Sequence, residues 1–195
     1  TYQDLLKNKQ DEIKFDYYAK SEIVKVFLDG RQMIKLLPEA IYKKVLFSPD
    51  LKLILTEELK QPYSYALTYG SFPSQYNIYD FSGKFVKTFY DRPLQDKVGI
   101  SFDAVESGKR NIFWRPDMPS TLIWSEAMDG GDPSKEVANR DQLYQSSAPF
   151  TQSSSLCLLK NRFSGISFGS NDLAIVEDFW YKNRNTKSYF IDPSK

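Results

Sequence analysis

Arg110-Asn111-Ile112-Phe113-Trp114-Arg115-Pro116-Asp117-Met118-Pro119-Ser120-Thr121-Leu122-Ile123-Trp124-Ser125-Glu126-Ala127-Met128-Asp129-Gly130-Gly131-Asp132 is the stretch from which the fold is read. Two apolar, aromatic-rich runs flank a Pro-Asp reversal. Period-2 runs separated by a tight turn predict a β-hairpin.

The pattern recurs as Val45-Leu46-Phe47-Ser48-Pro49-Asp50-Leu51-Lys52-Leu53-Ile54-Leu55-Thr56-Glu57. It returns as Ile166-Ser167-Phe168-Gly169-Ser170-Asn171-Asp172-Leu173-Ala174-Ile175-Val176-Glu177. Each copy has an aromatic residue, a short turn carrying Asp, and a Leu-containing strand that ends near an acid, so the chain is an internal repeat. Phe47 and Trp114 are 67 residues apart and Trp114 and Phe168 are 54 apart. Both spacings exceed the roughly 40 to 50 residues of a four-stranded propeller blade, and inserted loops are expected to fill the excess.

Composition supports this class. With 41% hydrophobic residues among 195, the chain can bury a sizeable core or several stacked ones. Aromatics at 15%, with many short Val/Ile/Leu runs and no long helical periodicity, favour all-β architecture. A net charge of +1 gives no bulk field toward nucleic acid or membrane, so neither partner is indicated. The single cysteine, Cys157, rules out an intrachain disulfide and reads as a buried small hydrophobe in Leu156-Cys157-Leu158-Leu159. No apolar run reaches a membrane span, and Thr1-Tyr2-Gln3-Asp4 is no signal peptide. Any export signal is expected to have been removed. Periplasmic or secreted placement is favoured over plastid-type or cytoplasmic, with the compartment left open.

The count His 0 is the most informative, because Ser-His-Asp, Cys-His and most zinc sites need an imidazole. No catalytic residue, cofactor or metal ligand is therefore assigned within the chain.

Along the chain, residues 1–20 read as an irregular lead-in with a helical turn at Tyr2–Leu6. Glu22–Leu28 and Gln32–Leu36 flank Asp29-Gly30 as a hairpin, the outer half of an incomplete blade. A full blade follows, with strands near 41–47, 51–58, 75–80 and 85–89. Its Tyr-rich insertion 60–74 either packs down, the preferred reading, or binds peptide. A third blade begins at the opening stretch, preceded by the connection Pro93 to Lys109, and takes its outer strands from about 140–146 and 155–160, with a long polar loop over Asp129–Asn139. A fourth has strands at 163–168, 172–179 and 184–191, with a turn at Lys182-Asn183. The expectation is an all-β, partial β-propeller of about three to three and a half four-stranded antiparallel blades. Its segments are 1–40, 41–92, 93–161 and 162–195, with about thirteen strands ordered two, four, four, three. Open blade edges recruit strands, so the chain is expected either to pair with a second copy or to depend on sequence beyond these termini.

Several residues invite chemical readings. Gly165-Ile166-Ser167-Phe168-Gly169 matches the G-x-S-x-G nucleophile elbow, which needs a strand, a strained turn and a helix. Strands on both sides argue against Ser167. Asp129-Gly130-Gly131-Asp132 suits a hard cation, with a plain polar loop preferred. Glu57-Glu58, and Glu126 with Asp129, are paired carboxylates of the kind glycosidases use, with ion-paired surface positions as the default. Trp114, Trp124 and Trp180 read as core packing.

Taken together, Thr1-Tyr2-Gln3-Asp4-Leu5-Leu6, Ser48-Pro49-Asp50, Phe102-Asp103-Ala104-Val105, Trp114-Arg115-Pro116-Asp117, Glu126-Ala127-Met128-Asp129-Gly130-Gly131-Asp132-Pro133 and Trp180-Tyr181-Lys182-Asn183-Arg184 resemble a known family. The run is similar to the amino-terminal propeller of glutamyl endopeptidase-like members of the prolyl oligopeptidase family of serine peptidases. The resemblance implies a propeller that caps an α/β-hydrolase domain lying outside this chain and limits peptide access to it. It also implies that Arg140, Lys182 and Arg184 face the channel, where they hold a peptide carboxylate or an acidic side chain. A structural ion pair is the plainer reading of those cations. A propeller that only binds a protein or peptide partner is the competing function.

Overall fold

The computed structural model describes residues 5–170 and 172–195, with Ser170 described by its backbone alone. Part of the turn expected at Tyr2–Leu6, and Asn171 of the last repeat, lie outside the described residues. The chain forms two compact units, Thr1–Phe47 with Leu51–Asp96 and Ser48–Asp50 with Lys97–Lys195.

The first unit opens with a helix where an irregular lead-in was expected. Helix α1 (Lys9–Ala19) starts because the Asn8 side chain accepts the Asp11 N–H at 3.0 Å, while Asp11 and Glu12 complement the dipole of the first turn. No residue of α1 is fully buried. It is held through Phe15 and Ala19 against Ile41, Leu59 and Phe72. Tyr63 stacks on Phe72 with ring centroids 5.0 Å apart, Phe15 meets Tyr63 edge-on at 5.1 Å, and the Tyr63 hydroxyl donates to Asp16. The inner part of the Tyr-rich insertion therefore packs down, whereas Tyr65 and Tyr69 stay exposed.

Five antiparallel strands follow in sequence order, β1 (Ser21–Lys25), β2 (Ile34–Phe47), β3 (Leu53–Leu59), β4 (Ser74–Asp80) and β5 (Phe85–Arg92). The hairpin expected to be a blade of its own is part of this sheet. Strand β2 runs unbroken for 14 residues, so its first half pairs β1 and its second half pairs β3. Pro38, which has no N–H to give a ladder, sits where the β1–β2 register is irregular, between Leu37 opposite Ile23 and Ala40 opposite Ser21. Gly83 closes the β4–β5 turn at φ +86, and a Cβ there would lie 1.8 Å from the Leu36 carbonyl oxygen.

The second unit carries two meanders. Strands β6 (Arg110–Trp114), β7 (Thr121–Ala127), β8 (Asp141–Ser147) and β9 (Ser154–Leu159) form one. Strands β10 (Arg162–Ser170), β11 (Leu173–Trp180) and β12 (Asn185–Ile191) form the other. Ile123, Leu143, Leu156 and Leu159 of the first share a core with Val176 of the second, and Phe163, Ile166, Phe168, Tyr189 and Ile191 pack around it. The Pro-Asp reversal is fixed by a two-pronged clamp, since Arg115 Nε and Nη2 each donate to a carboxylate oxygen of Asp117 at 2.8 Å. The described residues thus hold twelve strands in sheets of five, four and three, an all-β architecture of up-and-down sheets suited to a partial propeller. The count differs from thirteen because two expected strands are one.

Candidate functional site

The ends of β6, β8 and β10 bring five charged residues into the interior of the second unit. Asp129, just after β7, is 2% exposed. Its Oδ2 accepts Arg162 Nη2 at 2.7 Å and Arg140 Nη1 at 2.9 Å, and its Oδ1 accepts the Gly131 N–H at 2.9 Å. Asp141, fully buried, accepts Arg162 Nη1 at 3.0 Å and the Phe163 N–H at 2.8 Å. Arg110 Nη2 stands 2.7 Å from Asp141 as a charge contact without hydrogen-bond geometry, and Arg110 Nε and Nη2 make no hydrogen bond among the described residues. Three guanidiniums thus face two carboxylates, and the arrangement joins the four-stranded sheet to the three-stranded one. Burial pushes the Asp129 carboxyl up, but the hydrogen bonds from Arg162 and Arg140 outweigh it and hold the group below the usual aspartate range.

Arg162 also reaches outward, its Nε donating to the Asp103 carbonyl at 2.9 Å. That bond and the Val105 N–H on the Gly131 carbonyl, at 3.1 Å, fix the connection between the units' strands on the second unit. Gly131 makes the approach feasible, because a Cβ there would stand 1.9 Å from the Val105 oxygen. The Asp103 carboxylate accepts the Tyr181 N–H at 3.0 and 3.1 Å.

A cleft of about 620 Å³ results, walled by Phe102, Trp180 and Tyr181 and rimmed by Lys182 and Arg184. Phe102 stacks on Tyr181 at a centroid separation of 3.7 Å and an interplanar angle of 7°. The Arg184 guanidinium lies 3.8 Å from the same ring centroid, so it must occupy the opposite face. Arg184 Nη2 donates to the Tyr181 hydroxyl at 2.7 Å, from a backbone at φ +54. Lys182 makes no hydrogen bond or ion pair among the described residues.

Of the three cations singled out from sequence, Lys182 and Arg184 come together here. Arg140 does not line the cleft. Its guanidinium is taken up by Asp129 and the Lys135 carbonyl, and it lies 4.2 Å over the Trp180 ring. Trp114 and Trp124 are buried at 7% and 2% exposure, whereas Trp180 is a wall of the cleft. Phe102 and Asp103 were not singled out as site residues. The Phe-Asp-Ala-Val run in a long connection was the available signal.

The remaining candidates have structural partners. Glu57 pairs with Lys43 at 2.8 Å and accepts from Ser74, Glu58 accepts from Asn77 and Tyr79, and Glu126 accepts from Lys109 at 2.9 Å and Trp124 Nε1 at 2.7 Å. Asp132 caps its own turn through Ser134. Ser167 sits within β10 opposite Ile175, with strand on both sides. Burial pushes the Cys157 thiol up to about 11, which leaves it protonated and unreactive near neutral pH.

No family model matches the sequence. The chain is 39% identical over 198 residues to the probable chloroplastic glutamyl endopeptidase of Oryza sativa subsp. japonica, covering the whole of this chain and 21% of that protein. It is 40% identical over 196 residues to the protein of the same name from Arabidopsis thaliana, covering 99% of this chain and 20% of that one. The chain spans about one-fifth of the length of these curated relatives. Among solved structures, an oligogalacturonate lyase in complex with manganese overlaps 85% of this chain and 58% of its own, at 12% identity and a TM-score of 0.38, too weak a likeness to argue from. Along its whole length the chain is therefore a sequence relative of a one-fifth segment of the glutamyl endopeptidases, as its Trp114-to-Asp117 and Glu126-to-Pro133 blocks led one to expect.

Proposed function

We propose that this chain is a non-catalytic, propeller-type portion of a glutamyl endopeptidase-like serine peptidase, and that it governs which peptides reach a hydrolase domain outside these residues. The observation that carries this reading is the end-to-end similarity to proteins of that name. The chain's own chemistry agrees with it. With no histidine the residues supply no imidazole base, and Ser167 lies in a strand rather than at an elbow. Its acidic pairs are engaged by lysines, arginines, hydroxyls, an amide and an indole. For interaction the chain offers the aromatic cleft with Lys182 and Arg184, suited to a carboxylate on a peptide.

The test uses a protein of the relatives' length that carries this segment. A fluorophosphonate should label one serine outside residues 1–195, and short peptides should be cleaved far faster than a folded protein. Labelling of Ser167, or equal cleavage of the two substrates, would overturn the proposal.

A further inference from the structure

The cleft beside Tyr181 combines features that select more than a charge. Phe102 and Arg184 cover the two faces of the Tyr181 ring, so the wall is a three-layer stack rather than a pair of mobile side chains. The stack is fixed from behind, because Asp103 accepts the Tyr181 N–H and is itself held by Arg162. The outer face of Phe102 remains open, with the residue 67% exposed. Lys182 stands at the rim without a partner among the described residues.

We infer that this cleft binds the carboxyl-terminal residue of a peptide, laying an aromatic side chain on the exposed Phe102 ring and setting the terminal carboxylate against Lys182, while Arg184 backs the stack from the far face of Tyr181. A preformed aromatic platform beside one unpaired lysine suits a monoanion attached to a flat apolar body. The Asp103 carboxylate in the same lining disfavours a phosphate, whose second charge it would repel. An internal glutamate fits less well, because its short methylene stem covers little of a ring. The ring and charge argument stands on the geometry; that the ligand is a peptide, rather than a free aromatic acid, rests on the peptidase reading.

The test is calorimetric titration of the 195-residue chain with four probes. These are acetyl-Ala-Ala-Phe with a free carboxylate, the same peptide as its amide, acetyl-Ala-Glu-Ala amide, and N-acetylphenylalanine. The free-carboxylate tripeptide should bind at least tenfold more tightly than each of the others. Lys182→Glu and Phe102→Ala, both at exposed positions, should each weaken it at least tenfold while leaving the circular dichroism spectrum unchanged. Equal binding of acid and amide, tighter binding of the internal glutamate peptide, or binding that survives both substitutions would overturn the assignment. N-acetylphenylalanine binding as tightly as the tripeptide would overturn the peptide part. A failure of the peptidase reading shows instead in the labelled serine of the longer protein.

Discussion

Three glycines with positive φ separate backbone strain from steric contact. Gly30 has φ +82 and nothing within 4 Å of where a Cβ would stand, whereas at Gly83 and Gly131 a Cβ would meet a carbonyl oxygen at 1.8 and 1.9 Å. Gly30→Ala should therefore cost about 1 kcal/mol, the strain alone. Gly83→Ala and Gly131→Ala should each cost about 2–4 kcal/mol, as strain and overpacking combine. Urea unfolding of the three variants checks this. The sequence made Gly131 visible as part of a polar Asp-Gly-Gly-Asp loop. It could not reveal the backbone packed against it, since Val105 is 26 residues away.

Asp129 was legible as a carboxylate but not as a buried one, because its partners Arg140 and Arg162 lie 11 and 33 residues further on, across a long loop and across two strands. Removing it leaves guanidiniums unpaired in the interior, so Asp129→Ala should destabilise by about 3–5 kcal/mol. The sign with pH follows from the depressed carboxyls. Asp129 is lowered by its arginines against the cost of burial, and Glu57 is lowered by Lys43 and Lys44 against the same cost. Their contribution is fully present above the unfolded-state pKa near about 4 and is lost as pH falls through the lower folded values. Chemical-denaturation midpoints should hold level from neutral pH down to about 5 and then decline. Asp129→Asn should flatten that decline.

At the level of elements, the outer two strands of the four-stranded sheet and all three of the next were readable to within a residue or two. Strand β2 was not. Pro38 interrupts its apolar run, yet the chain carries Pro38 through an irregular stretch of the ladder and continues as one strand. Helix α1 was missed for a related reason, since it buries no residue fully and docks through Phe15 onto Tyr63 and Phe72, 48 and 57 residues further on. Its start was legible in Asn8 and Asp11, three residues apart. Asn8→Ala should loosen α1 by about 1 kcal/mol, read as faster amide exchange over 9–19 with little change in global stability. The shared core of the second unit gives a sharper contrast. Leu143 is fully buried beneath the neighbouring sheet while Leu158 is 52% exposed. Leu143→Ala should cost about 2–5 kcal/mol and Leu158→Ala less than about 0.5 kcal/mol by urea denaturation.

At the scale of the molecule, repeat, turn and strand signals reported an all-β stack, and the missing histidine narrowed the chemistry. The cleft was less legible because it is assembled from residues 101–103 and 180–184, whose proximity only the folded connection creates. Lys182 and Arg184 were visible as charges, but the ring stack that gives them a context was not. Arg140, which sequence grouped with them, serves Asp129 and Trp180. In the function proposed above, these residues shape and hold peptides and break no bonds. The most direct measurement incubates the purified 195-residue chain with a fluorogenic Glu-containing peptide and a fluorophosphonate, then maps any labelled residue. The expected result is no turnover and no adduct. Turnover above buffer that disappears on Ser167→Ala, with an adduct mapped to Ser167, would contradict it.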